Sequence, residues 1–134
     1  MRNYFDTIEG YFIPPANGSY VFLTAGADRW WLYLSTDENP ANMKMIAAEP
    51  GGWSDPRGWN QIYSGTLENR RSDTSTYAAN NWPDGNTINL VGGKKYYMLE
   101  VHHDPSWCGA DDFSATYKLA SDEDPANGSA PTLT

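Results

Sequence analysis

Residues 30–46 read WWLYLSTDENPANMKMI, a pattern of strand, turn and strand. An aromatic and aliphatic run at 30–34 breaks at the polar segment 35–40, and an apolar run resumes at 43–46. Bulky and aromatic residues favour a pleated, half-buried surface, whereas a cluster of Asp, Asn and Pro favours a turn. The stretch therefore predicts two neighbouring strands of an antiparallel β-structure.

Further strands are predicted on both sides of this unit, at 4–13, 20–24, 87–90, 95–101 and 113–119. The turn at 14–19 contains Asn17-Gly18, which tolerates positive φ, so we expect a hairpin between the first two strands. The polar segment 67–86 lacks helical periodicity, and no amphipathic helix is predicted. We expect one all-β domain, residues 1–120, followed by an acidic tail or linker with Pro, Ser and Gly at 121–134.

The composition argues against nucleic acid as a partner and against a membrane span. A net charge of −8 and a pI near 4.5 argue against nucleic acid, because binding phosphates requires clustered Lys and Arg. No run approaches the ~20 apolar residues of a membrane span. Cys108 is the only cysteine, so no disulfide forms within the chain, and we assign it no role. The N-terminus lacks the apolar core of a signal peptide, so an extracellular protein would carry its export signal elsewhere.

Three blocks together resemble one known family: GYFIPPANGSYVF at 10–22, LYLSTDENPAN at 32–42 and GGKKYYMLE at 92–100. The chain is similar to the protective-antigen-fourteen (PA-14) domain family, and most similar to its bacterial extracellular members. This resemblance implies an antiparallel β-sandwich or barrel, located outside the cell or on its surface. Family members occur in adhesins, glycosidases, toxins and large surface proteins, and several are calcium-dependent lectins.

The sequence departs from the family in three places. It is short before Gly10, which implies a missing opening hairpin and an exposed sheet edge. Family lectins hold calcium with two adjacent Asp joined by a cis peptide; in the matching loop Asp28 remains, but Arg29 stands where the second carboxylate is expected. The Gly-rich loop of the family is replaced by HHDPSWCGADD at 102–112.

Carboxylates in the loops suggest a calcium site. Calcium takes ~6–8 oxygen ligands, and the candidate ligands are Asp28, Asp104, Asp111 and Asp112. In the alternative interpretation, Asp111 and Asp112 flank the start of a strand, Asp28 caps a turn, and Arg29 pairs with one of them. His102 and His103 are adjacent on a strand and point to opposite faces, so we expect them not to share a metal.

Aromatic side chains and carboxylates are the groups that bind sugars. The candidate carbohydrate-binding residues are Asp28, Trp30, Trp107, Asp111 and Asp112, with Trp31 and Trp82 as further aromatics. Trp30 and Trp31 are adjacent on a strand, so at least one is expected in the core. In the loop 48–64 we expect Trp53 and Trp59 to plug the core. Weak glycosylation sequons begin at Asn17 and Asn127.

No catalytic arrangement stands out. Glu100 and Asp104 are a carboxylate pair without further support, and Ser106 lacks a nucleophile-elbow context. The sequence therefore predicts a non-enzymatic carbohydrate-binding or adhesion module that binds glycans, with calcium as its candidate cofactor. The alternative is a structural subunit of a cell-surface filament or homo-oligomer, joined head-to-tail by strand addition, with the tail received by a neighbouring copy.

Overall fold

Two antiparallel sheets form the fold in the computed structural model, which describes residues 4–61, 63–104 and 112–131. One sheet has the strand order β1-β6-β3-β4 and the other β5-β2-β7, which confirms the predicted all-β sandwich. The strands are β1 Tyr4–Phe12, β2 Gly18–Ala27, β3 Arg29–Ser35, β4 Met43–Glu49, β5 Ile88–Leu90, β6 Tyr96–Asp104 and β7 Asp112–Leu119. One helix, α1, spans Thr76–Asn81, and short 3-10 helices span Pro40–Asn42 and Leu67–Arg70.

The stretch that suggested an antiparallel pair forms one. β3 and β4 pair antiparallel from Trp30 opposite Glu49 to Ser35 opposite Met43. The Asp37 carboxylate accepts a hydrogen bond from the Asn39 amide at 2.9 Å, and this bond lowers the pKa of Asp37. A carboxylate that accepts backbone N–H groups holds a polar turn in one conformation, which explains why the chain reverses here.

The expected hairpin between the first two strands is wrong. β1 pairs with β6 in one sheet, whereas β2 pairs with β5 and β7 in the other. Two consecutive prolines, Pro14 and Pro15, have no N–H to donate and hold φ near −65°, which disfavours a tight two-residue turn. The connection instead crosses between the sheets, and the Pro14 carbonyl accepts a hydrogen bond from the Gly93 amide at 2.9 Å.

The polar segment in which no amphipathic helix was predicted contains one short helix, α1. α1 begins after Ser75, whose hydroxyl accepts a hydrogen bond from the Tyr77 amide at 3.0 Å as an N-cap. The helix has only six residues and buries a single one, Ala78, so its sequence is too short to show a 3.6-residue period. Packing of the helix against β4 stabilises it.

The main core lies between the sheets and is built mainly from strand residues, with two contributions from α1 and the residue after it. Its buried members are Phe12, Tyr20, Phe22, Leu32, Leu34, Ile46, Ala47, Ala78, Trp82, Ile88, Leu90, Tyr96 and Met98. A second cluster joins Val21, Leu23 and Ala25, on the other face of β2, to Trp59. Trp59 is therefore the expected plug, whereas Trp53 is 44% exposed and is not one.

The described part of the tail, residues 121–131, lies against its own domain. The Trp59 indole donates to the Ser129 carbonyl at 3.1 Å, and the Gly128 amide donates to the Arg57 carbonyl at 2.8 Å. Asp124 binds the Arg71 guanidinium with both oxygens, at 2.7 and 2.9 Å. The contacts that we expected from a neighbouring copy thus come, for these residues, from the same chain.

Asp124 links the tail to the sheet and should contribute to stability above acid pH. Hydrogen bonds from Arg71 and Lys118 lower the pKa of Asp124 from 3.8 to about 2. A lowered pKa stabilises the fold above pH ~4, and this contribution disappears as the pH falls toward 2. Because the side chain is 33% exposed, we expect Asp124→Asn to cost only about 1 kcal/mol at pH 7 and nothing below pH 2.

Urea unfolding between pH 2 and 7 tests this expectation, with the exposed neighbour Asp122 as control. Asp122→Asn should leave the pH dependence of stability unchanged. A loss of stability for Asp124→Asn that is as large at pH 2 as at pH 7 would contradict the ion-pair explanation.

None of the described helices is long and apolar enough to cross a membrane.

Candidate functional site: the carboxylate end of the sandwich

Strand register brings the backbone positions of three aspartates to one end of the sandwich. Arg29 pairs with His103, so Asp28, one residue earlier, lies near the end of β6 at Asp104. Asp112 opens β7 opposite Ala27, the last residue of β2. Asp28, Asp104 and Asp112 thus lie at the same end of the fold, and their role as a site stays a prediction.

Close backbone packing holds this end in place. The Gly26 amide donates to the Ser54 hydroxyl at 3.1 Å, and the Ser54 amide donates back to the Gly26 carbonyl at 2.7 Å. A Cβ at Gly26 would collide with the Asp112 carbonyl, so only glycine lets β7 approach this closely. Substituting Gly26 would thus displace Asp112.

The Asp28 loop differs from the match made by resemblance. The cis peptide joins Ala27 to Asp28, whereas the sequence match placed the family's pair at Asp28 and Arg29. Asp28 is thus the second residue of the cis pair, and Ala27 occupies the first position. The Ala27 carbonyl accepts a hydrogen bond from the buried His102 ring at 2.5 Å, which fixes the proton on Nε2.

Two of the carboxylates at this end are shielded from water. Asp104 is 2% exposed, and its Oδ2 and both oxygens of Asp112 each show less than 1 Å² to solvent. Burying carboxylates is costly unless hydrogen bonds or positive charge compensate them. All-oxygen ligands suit a hard cation. Within the described residues, however, no group of three or more His, Cys, Asp or Glu is placed to hold a metal, and Asp111 lies outside them.

Two of the tryptophans considered for the sugar site are buried and cannot stack on a ligand. Trp30 is 0% exposed, because its side chain faces the core and its indole donates to the Thr24 hydroxyl at 2.7 Å. Trp82 is buried beside α1 at 6% exposure. Trp31, on the outer face, is half-buried, which confirms that one of the adjacent pair is core. Trp107, Cys108 and Asp111 lie outside the described residues.

The two sequon asparagines are exposed. The Asn17 side-chain oxygen accepts from the Gly92 amide and that of Asn127 accepts from the Asn60 amide, both at 2.8 Å. These bonds orient both side chains and use Oδ1, not the nitrogen that would carry a glycan. Glycosylation at Asn17 and Asn127 therefore stays a prediction.

An aromatic strip that sequence reasoning missed lies on the outer face of the four-stranded sheet. Phe5 stacks on His103 with ring centroids 4.3 Å apart, and its ring lies 6.4 Å from that of Trp31. These residues belong to three neighbouring strands, so no local pattern reveals them. His103 points away from the buried His102, which confirms that the two histidines face opposite sides.

A groove of about 630 Å³ opens along the side of the sandwich, between the edges of β1 and β7. Ile8 and Gly10 line one wall, Phe113 and Ala115 line the other, and Glu100 lies between them. Burial raises the pKa of Glu100 to about 7, so this carboxyl is partly protonated at neutral pH. Among the described strands, none joins the two sheets along this side.

Comparison with known proteins adds no relative: neither a family model, nor a curated protein, nor a solved structure matches this chain. The resemblance to the PA-14 family therefore remains a prediction.

Proposed function

We propose that this protein is an extracellular carbohydrate-binding module whose ligand binds at the carboxylate end of the sandwich, with the help of calcium. The observation that supports this proposal is the strand register, which brings the backbone positions of Asp28, Asp104 and Asp112 to the same end of the fold. Strand ends held by a sheet are rigid, and rigid acceptors bind a polyol or a cation with little loss of entropy. The resemblance to PA-14 lectins also supports a site at this end of the fold, because the family's calcium-binding loop was matched to the loop at Asp28.

Calcium is the cation that this oxygen-rich end favours. The described carboxylates supply fewer ligands than the ~6–8 that calcium takes. Asp111, which lies outside the described residues, is the further candidate ligand predicted from the sequence. Bound calcium would neutralise the shielded carboxylates and contribute coordination positions for sugar hydroxyls. The aromatic strip of Phe5, His103 and Trp31 lies on the outer face of the sheet, opposite the side on which Asp104 is buried, and offers a separate apolar face for a sugar ring.

The separation of the acidic residues favours binding without hydrolysis. Glu100 and Asp104 lie four residues apart on β6, which corresponds to about 13 Å along a strand. Glycosidase carboxylates are ~5–9.5 Å apart, so this pair is too far apart to act on one glycosidic bond. We therefore propose a module that recognises glycans and does not cleave them.

Calcium and glycan binding can be tested with one set of variants. We expect calcium at 100 times its Kd to stabilise the wild type by about 2.7 kcal/mol, measured as an increase in Tm over the chelator-treated protein. Asp28→Asn and Asp112→Asn should abolish both this increase and the calcium-dependent signal on a glycan array. Asp122→Asn, which removes the same charge beyond the far end of β7, should retain both.

Stability in chelator separates lost binding from lost folding. There, Asp112→Asn should still unfold in one cooperative transition, as the wild type does, because asparagine has nearly the same size and shape as aspartate. A wild type with no calcium-dependent Tm change and no glycan signal in either buffer would overturn the proposal. Glycan binding that persists in chelator would support a carbohydrate-binding module and contradict the role of calcium.

The second candidate function, a structural subunit joined through its termini, is favoured by the open edges of the sandwich. Each sheet ends in a strand with one described neighbour, β1 beside β6 and β7 beside β2. Donation of the tail to another copy would first have to break its bonds to Trp59 and Arg71. An assembly that leaves the tail in place is therefore easier to form.

A further inference from the structure

We infer that β1 pairs with β1 of a second copy, antiparallel and centred on Ile8, so that two sandwiches share one eight-stranded sheet. This inference is independent of carbohydrate binding. It starts from the free edge of β1, which pairs only with β6 among the described residues. Edge strands expose a row of unsatisfied N–H and C=O groups that can pair with another strand.

β1 lacks several of the features that usually protect an edge. Pro or Lys in the strand, a bulge and a very short length are such features, and so are other charged side chains. β1 reads YFDTIEGYF over nine residues: it carries the charges of Asp6 and Glu9 but neither Pro nor Lys, and its register with β6 has no shift. The strand is therefore long and regular enough to accept a full-length partner.

The side chains of β1 are also unusually exposed for their chemistry. Ile8 at 65% and Phe5 at 63% are the most exposed large hydrophobic residues in the described parts of the chain, and Tyr11 in the same strand is 54% exposed. Ile8 lies on the core-facing side of the sheet, in line with the buried Phe12, but it borders the open groove. A second copy would place its own Ile8 beside this residue and cover that part of the groove.

The sequence of β1 is complementary to itself in this register. Pairing about Ile8 sets Phe5 opposite Tyr11, Asp6 opposite Gly10, and Thr7 opposite Glu9 of the second copy. Aromatic pairs across strands are favourable, and no two like charges lie directly opposite each other. The two Glu9 side chains meet only on a diagonal, and each is held by the Tyr97 hydroxyl of its own sheet at 2.5 Å. A two-fold, isologous contact of this kind is the commonest way in which proteins dimerise.

Sedimentation equilibrium of the whole chain tests the pairing. Because a single strand pair gives a small interface, we expect a reversible dimer that forms above about 50 µM. Ile8→Lys places two positive charges together at the two-fold axis and should raise the dimer Kd at least tenfold. Val91→Lys, at another exposed apolar residue (47% exposed), should leave the Kd unchanged. Both positions are exposed, so both variants should fold.

A cross-link tests the register. Opposed Cα atoms in an antiparallel pair are about 4.5–5.5 Å apart, within the range that a disulfide spans. In a Cys108→Ser background, Ile8→Cys should form a disulfide-linked dimer under mild oxidation, whereas Val91→Cys should not. A wild type that remains monomeric up to about 1 mM would overturn the inference. A dimer that Ile8→Lys does not weaken, and that Ile8→Cys does not cross-link, would equally overturn it.

Discussion

Replacing Arg70 with Met is expected to cost about 3–5 kcal/mol of unfolding free energy, because it breaks a fully buried ion pair. Arg70 is 0% exposed, and its Nε donates to the Glu49 carboxylate at 3.0 Å. The guanidinium also donates to the carbonyls of Gln61 at 2.9 Å, Trp53 at 3.1 Å and Ser64. Loss of these donors leaves a buried carboxylate and three carbonyls without this partner.

The same substitution should loosen the loop between β4 and the 3-10 helix that ends at Arg70. Glu49 also accepts hydrogen bonds from the Thr66 amide at 3.0 Å and the Gly51 amide at 3.2 Å, so the pair fastens both ends of this loop. Urea unfolding measures the loss. Arg29→Met, at an exposed arginine, should change stability by less than about 0.5 kcal/mol. A cost below about 1 kcal/mol for Arg70→Met would show that the pair contributes little.

Trp30→Leu is expected to cost about 3–4 kcal/mol, because it leaves a cavity in a packed interior. The indole is 0% exposed, and its Nε1 donates to the Thr24 hydroxyl, which itself donates to the Arg70 carbonyl at 2.8 Å. The Arg70 guanidinium lies 5.5 Å from the Trp30 ring centroid. Trp30 therefore connects the core to the buried ion pair.

Trp31→Leu is the matched control, since the adjacent tryptophan is only half-buried on the outer face. We expect it to cost about 1 kcal/mol, and a similar cost for both variants would contradict the core assignment. Because Arg70 stacks on Trp30, the two large effects should not add. A double-mutant cycle should give a coupling of about 1 kcal/mol between them, and additivity within about 0.3 kcal/mol would exclude direct contact.

Local pattern predicted the strands well and their connections poorly. The run at 30–34 and the turn after it became β3 and its reversal into β4, because alternation and turn chemistry act over a few residues. The hairpin prediction failed at Pro14-Pro15, where the choice between turning within a sheet and crossing to the other depends on distant strands. The helix at 76–81 was missed because contact with β4, not periodicity, stabilises it.

The candidate site shows the same division. Asp28, Asp104 and Asp112 were predicted as site residues from residue type and loop position, and strand register brings their backbone positions to one end of the fold. The core position of Trp30 was not predicted, because alternation shows that adjacent tryptophans face opposite sides but not which side is inside. The aromatic strip and the groove each combine residues from several strands, so nothing local could have indicated them.

The sequence by itself determined the all-β class, most strand positions and the polar turn after β3, because these depend on residue propensities and a two-residue period. Only the tertiary structure decided which strands became edges, that Arg70 and Glu49 were buried together, and that the tail bound its own domain. Those outcomes depend on contacts between residues far apart in the chain, whose free energies exist only once both partners are in place.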